Sequence, residues 1–209
     1  MRFSLLLLLA VLINTGCSSV KVSEAKYDVV EKEDKFEVRD YNSQIIAETT
    51  VDGTFEDAGD KAFQRLYDYI SGNNLSNSKV AMTAPVVQEA ADEKGEKISM
   101  TAPVAQRRLG DKWLIIFIMP DSYTMDTIPQ PKDSRINLRE IPPRRMCAVR
   151  YSGRWTEDNY LENKTELENW MKEKELKAIG EPIWARYNPP YTLWFLRRNE
   201  ILITTKNGY

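Results

Sequence analysis

Over residues 35–41, Lys-Phe-Glu-Val-Arg-Asp-Tyr, polar and apolar side chains alternate with a period of two, which predicts a half-buried strand. Residues 44–51 form a second β-prone run centred on Ile45, Ile46 and Ala47, and Asp52-Gly53 turns the chain. From Thr54 to Ser71 the period changes. Phe55, Ala58, Ala62, Phe63, Leu66, Tyr69 and Ile70 fall on one face at helical spacing, and Gly72-Asn73-Asn74 stops the helix. Residues 112–119, with Trp-Leu-Ile-Ile-Phe-Ile at their heart, read as a buried strand ended by Pro120. Residues 121–133, with Pro129 and Pro131, read as a long connection.

The pattern then repeats. Residues 135–141 and 145–151 are two further strands separated by Pro142-Pro143. Ser152-Gly153-Arg154-Trp155 mirrors Asp52-Gly53-Thr54-Phe55, so each Gly-x-aromatic triplet is expected to open a helix and to bury its aromatic ring. Thr156, Glu157 and Asp158 place acidic groups at the second helix start, where the helix dipole favours them. Tyr160, Leu161, Lys164, Leu167, Trp170 and Met171 mark its inner face. Three β runs follow, at 182–187, 192–197 and 201–205. Each half therefore reads β-β-α-β-β, an α+β plan with antiparallel strands and two helices packed on a sheet or barrel.

Between the first helix and the 112–119 strand a pentapeptide occurs twice, Met82-Thr83-Ala84-Pro85-Val86 and Met100-Thr101-Ala102-Pro103-Val104. The polar stretch 88–96 between the copies has the composition of a hairpin tip. Each proline removes a backbone donor, so each copy is expected to end a strand there. The methionines either fill a corner of the core or line an adaptable pocket wall.

Residues 1–16 stand apart. Arg2, the apolar run Leu5 to Ile13 and the closing Gly16-Cys17 have the layout of an export signal too short to span a bilayer. Gly16-Cys17 resembles a bacterial lipobox, although Asn14 stands where leucine is usual. Cys17 is then the lipidated residue, residues 17–25 a polar tether, and 26–209 a single domain with halves of about 26–125 and 126–209. This arrangement places the protein in the cell envelope, attached to a membrane through the lipid and facing the periplasm or the exterior.

Charge narrows the partners. With 29 basic and 31 acidic residues the net charge is -2, which gives no electrostatic footprint for nucleic acid. The chain has no histidine, so Ser-His-Asp and Cys-His catalysis, HExxH zinc sites and histidine-ligated haem are excluded. Cys147, in the apolar run Met146-Cys147-Ala148-Val149, reads as a buried inert thiol.

Several of these stretches resemble the SOUL family of haem-binding proteins. They are 36–41, Ala47-Glu48-Thr49, the helix end 69–74, the Met-Thr-Ala-Pro-Val repeats, Tyr151-Ser152-Gly153 and Arg198-Asn199-Glu200-Ile201. The resemblance implies a distorted antiparallel β-barrel flanked by two helices and built from pseudo-symmetric ββαββ halves. It also implies a non-enzymatic binding function for haem or another tetrapyrrole. The implied site is the first-helix surface: Phe63, Leu66, Tyr67 and Ile70 as apolar contacts, Lys61 and Arg65 as cations, and Met82 and Met100 from the repeats. With no histidine, binding would rest on apolar contact, or on an unconventional axial group such as Met82, Met100, Met119, Cys147 or Tyr67.

Similarity to drug-sensing barrel domains implies a different ligand class, flat apolar or cationic molecules. Trp113, Trp184, Trp194, Tyr187 and Tyr191 would stack on them, and Glu140 or Glu200 would pair with a cation. Acid–base chemistry by Glu140 and Glu200 and a purely structural envelope role are the remaining readings.

Overall fold

The alternating runs do form strands, and their pairing order accounts for the repeated sequence pattern. The computed structural model describes residues 23–76 and 95–206. Along it run β1 (Ser23–Glu24), β2 (Tyr27–Glu33), β3 (Phe36–Tyr41), β4 (Gln44–Val51), α1 (Phe55–Ile70), β5 (Asn74–Leu75), β6 (Thr101–Leu109) and β7 (Lys112–Ile118). They are followed by β8 (Gln130–Pro131), β9 (Asn137–Ile141), β10 (Arg144–Tyr151), α2 (Glu157–Glu173), β11 (Ala178–Arg186), a 3-10 turn (Trp194–Leu196) and β12 (Asn199–Thr205). The fold is α+β, as expected. One antiparallel sheet runs β2-β3-β10-β12-β11-β6-β7-β4-β9, β1 adds in parallel to β6, and β5 pairs separately with β8.

That order is twofold symmetric. Inward from one side come β3, β10, β12 and β11; inward from the other come β9, β4, β7 and β6. Each half thus lends its first strand to the second strand of the other half. The register agrees: Tyr41 pairs with Arg144, and Ile141 pairs with Gln44, a constant offset of one hundred positions. The path ends at β2 and β9, which do not pair, so the sheet is a curled, open barrel.

Period-two alternation divides the sheet's side chains between two cores. Trp113, Ile115 and Phe117 of β7 lie with Phe55, Ala58, Ala62 and Leu66 of α1 and with Leu167, Trp170 and Met171 of α2. Leu114, Ile116 and Ile118 of the same strand face the other way, with Ile46, Met146, Ala148 and Leu202 inside the curl. Both helices start as their caps dictate. Thr54 Oγ1 accepts from the Asp57 N–H at 3.2 Å, and Thr156 Oγ1 from the Asn159 N–H at 3.4 Å. The glycines just before them have φ of +138° (Gly53) and +129° (Gly153), a region that favours glycine.

Several expectations need correction. Pro103 does not end its strand: β6 continues between β11 and β7, because the register against β7 shifts between Thr101 and Val104 and leaves the proline at an irregularity where no ladder donor is required. Residues 192–197 are not a strand. Arg197 donates from Nε to the Thr192 carbonyl (2.8 Å) and from Nη2 to the Pro190 carbonyl (2.7 Å), folding this stretch into the 3-10 turn. Leu193, Trp194, Phe195 and Leu196 are left exposed there. The charged run 27–33, unassigned from sequence, is the edge strand β2, and Ser23–Glu24 form the short strand β1 against β6. On α2, Leu161 is exposed and Asn163 is buried in its stead. Phe55 is buried, but Trp155 lies before the Thr156 cap and is only half-buried. Cys17, Met82, the first pentapeptide and most of the expected hairpin tip lie outside the described residues.

Candidate ligand cleft

The exposed flank of α1 faces the start of β6 and the connection from β11 to β12. Between them opens a largely apolar cleft whose walls include Phe63, Met100, Val104, Trp155, Pro189 and Pro190. Phe63 is held edge-on against Phe117 (centroids 5.3 Å apart) and stacked on Tyr67 (5.8 Å). The second pentapeptide therefore serves both of its expected purposes: Met100 packs against the main core and also lines the cleft.

Arg186, at the end of β11, lies in the cleft's lining. Its guanidinium stands 3.8 Å from the Trp184 ring centroid and 4.9 Å from that of Trp155. Nη2 donates to Gln106 Oε1 at 3.0 Å, and Gln106 Nε2 in turn donates to the Phe55 carbonyl at 2.9 Å. Nε is buried without an acceptor, and no carboxylate forms an ion pair with Arg186 among the described residues. Burial pushes its pKa down to about 10; Asp60, which also lines the cleft, opposes the shift only in part, and Arg197 adds to it. Gly59 makes this packing possible. A Cβ there would come within 2.8 Å of Arg186 Nη1, so the missing side chain lets the guanidinium lie against α1.

The residues singled out as ligand contacts divide three ways. Phe63 and Met100 meet in the cleft. Leu66 and Ile70 are core residues at 0% and 4% exposure, beneath the helix rather than on its free face. Tyr67 and Lys61 are exposed, while Arg65 donates to Thr49 Oγ1 at 2.6 Å and sits 3.8 Å from the Asp133 carboxylate, tying α1 to β4 and to the 121–136 connection. Sequence reasoning missed Arg186, Gly59 and Trp155 as cleft residues. A glycine inside an otherwise regular helix was the available signal, since it costs helix stability and needs a packing reason.

The aromatic set expected for a cationic ligand is not brought together. Trp113 and Trp184 are buried around Phe55 and Trp194 and Tyr191 are exposed, whereas Tyr187 does line the cleft. Glu200 is wholly buried and bonded to Arg39, Arg198 and the Tyr187 hydroxyl, while Glu140 is exposed on the edge strand β9.

An open antiparallel barrel carrying two helices, with a lateral apolar cleft, defines an α+β architecture. The profile of the SOUL heme-binding protein family matches residues 22–204, and the chain belongs to that family. It is similar to heme-binding protein 1 of Xenopus tropicalis, 24% identical over 173 residues that span 82% of this chain and 84% of the relative. Among solved structures, the EcmrR C-terminal domain superposes with a TM-score of 0.57 at 10% identity, covering 86% of this chain and 98% of that one. A hydrolase from Listeria innocua gives 0.53 at 13% identity, covering 85% and 94%. At these identities the structural likenesses establish the fold alone.

Proposed function

We propose that this protein binds a tetrapyrrole in the α1 cleft, through apolar contact and one guanidinium and without a histidine ligand. The observation that carries this reading is the pairing of Phe63, Met100 and Val104 with Arg186, which forms no ion pair among the described residues even though Asp60 also lines the cleft. Tetrapyrroles such as haem combine a flat apolar ring with carboxylates at one edge, which matches a greasy wall beside a cation. Met100 is the cleft's thioether, a weak axial donor, so the ring and its carboxylates rather than the iron dominate recognition. The tetrapyrrole is cargo here, and no catalytic step is assigned to the protein. The internal bonding of Glu200 disfavours its expected pairing with a cationic ligand.

The test is an absorption titration of tag-free protein, since a histidine tag would itself bind haemin. Metal-free protoporphyrin and haemin are expected to saturate one site with similar, micromolar affinity, roughly 8 kcal/mol of association free energy. Met100→Leu should leave both titrations unchanged, whereas Phe63→Glu should weaken both at least tenfold. Haemin binding that is far tighter than porphyrin binding and is lost in Met100→Leu would replace this reading with axial ligation.

The same proposal includes the cell envelope as the place of action, with lipid on Cys17 after cleavage at Gly16. Its support is the short apolar run ending in Gly16-Cys17. Cys17→Ser should move the protein out of the membrane fraction or stall its processing; unchanged fractionation and mobility would remove the anchor from the reading.

A further inference from the structure

Among the equivalent places of the twofold sheet, one pair sets a buried acid against a leucine. In the second half, Arg150 of β10 pairs with Glu200 of β12; at the matching position of the first half, Thr50 of β4 pairs with Leu114 of β7. Glu200 neutralises arginines inside the curl: Arg39 Nη1 reaches its Oε2 at 2.6 Å, and Arg198 Nη2 reaches its Oε1 at 2.9 Å. Leucine can do nothing of the kind, yet arginines are present on its side as well. Arg107 lies directly across from Leu114 in the β6–β7 ladder, so the two side chains leave the sheet on the same face.

A cavity open at its mouth occupies this side of the curl, lined by Arg107, Arg139 and Arg144, by Tyr41, Gln44 and Thr204, and by apolar side chains. No acidic residue is among its described lining residues. Arg139 is neutralised from outside the cavity by Glu48, with Nε–Oε1 at 2.9 Å and Nη2–Oε2 at 3.0 Å. The other two are not. Arg144 donates from Nη2 to the neutral Gln44 Oε1 at 2.8 Å, and its Nη1 is buried without an acceptor. Arg107 Nε is likewise buried and unpartnered. Burial lowers the pKa of Arg144, and Arg139 nearby adds to the effect. Ile46, Ile116, Ile118, Ile183 and Leu202 make the remainder of the wall strongly apolar.

We infer that this cavity is a second binding site, separate from the α1 cleft, for an amphipathic anion: a carboxylate on a flexible hydrocarbon chain. The carboxylate supplies Arg107 and Arg144 with the acceptor that Glu200 provides in the other half, and the chain lies along the isoleucines. Carboxylate oxygens accept from guanidinium in the fork geometry that these orphaned N–H groups require. Burying a guanidinium N–H of each arginine without an acceptor is costly, so an anion that fits recovers that cost on binding.

Calorimetric titration with dodecanoate below its micellar concentration, and with 1-dodecanol as the uncharged control, tests the inference. Dodecanoate is expected to bind one to one and at least tenfold tighter than dodecanol. Arg107→Met and Arg144→Met should each weaken dodecanoate at least tenfold, with Arg144→Lys intermediate. Leu114→Glu restores the acid that the symmetry lacks; it should abolish dodecanoate binding while leaving the porphyrin titration intact. No saturable dodecanoate binding, equal affinity for dodecanol, indifference to Arg107→Met, Arg144→Met and Leu114→Glu, or displacement of dodecanoate by porphyrin would each overturn the inference. If one arginine variant does not fold, the other and Leu114→Glu decide the question independently.

Discussion

Phe55 shows how one side chain joins the helices to the sheet. It opens α1, stacks on Trp184 at 4.4 Å between centroids and meets Trp113 and Tyr160, each at 5.3 Å. Phe55→Ala is expected to cost ~3–5 kcal/mol, the range for a fully buried phenylalanine, read as a fall in denaturant midpoint at constant slope. Trp155→Ala should cost less, because the indole is only half-buried and holds one hydrogen bond, from Nε1 to Asn199 Oδ1 at 2.8 Å. Cys147 supplies a chemical probe of the same core. It is fully buried, and burial pushes its thiol up to about 12, so little thiolate forms at neutral pH. In a chain carrying Cys17→Ser, iodoacetamide at pH 8 should fail to label the native protein and label it fully in denaturant. Rapid native labelling would place the thiol at the surface.

Among the elements, the strand-to-helix turns and the long connection carry most of the sequence-specific geometry. Gly153 combines φ of +129° with a space in which a Cβ would fall 2.5 Å from Asn159 Nδ2. Asn159 uses that nitrogen to bond the Arg154 carbonyl at 2.9 Å. Gly153→Ala should therefore lower the melting temperature, whereas Gly110→Ala, at a turn with open space around it, should lose only the backbone preference. In the 121–136 connection, the Arg135 side chain and backbone, together with Arg65 of α1, hold the Asp133 carboxyl down to about 2. Its folded pKa lies below the unfolded value of about 3.9. Its stabilisation is therefore present above about pH 4 and fades as the pH falls towards 2. Asp133→Asn should lower stability at pH 7 and flatten the part of the acid limb between those values; an unchanged limb would show that the ion pairs add nothing to the fold.

The whole molecule is held together by exchange between its halves, and the strongest polar link follows that exchange. Arg39 sits on β3 and Glu200 on β12, both essentially inaccessible at 2% and 0% exposure. Burial alone would weaken the Arg39 cation, but the hydrogen-bonded Glu200 carboxylate overrides it and raises the arginine's pKa. Glu200→Ala is expected to cost ~3–5 kcal/mol, because it strands buried guanidinium charge. Arg39→Met combined with Glu200→Leu should cost less than Glu200→Leu alone, and the two halves should still unfold in one transition. Separate transitions would mean that β3·β10 and β9·β4 pairing does not couple them.

The sequence alone was enough for everything set by local periodicity and by backbone chemistry. The twin β-β-α-β-β plan, both helix starts, the glycines before them and the buried 112–118 strand could all be read because each depends on neighbours within a few residues. The family was legible for a similar reason, since its motifs are short and contiguous. What pairs with what was not legible. Strand order, the exchange of β3 and β9 and the open rather than closed barrel arise from contacts a hundred residues apart. The continuation of β6 past Pro103 depended on a register shift that only the partner strand reveals. The cleft followed the same logic. Helical spacing correctly put Leu66 and Ile70 on the apolar face of α1, but tertiary packing decided that this face meets the sheet and leaves Phe63 and Gly59 to border the cleft. Arg186 and the Arg107–Arg144 pair looked like ordinary charged strand residues. They became candidate sites only when folding enclosed their charges beside apolar walls and brought no acid to meet them, because desolvation is a property of the assembled interior and not of any stretch of chain.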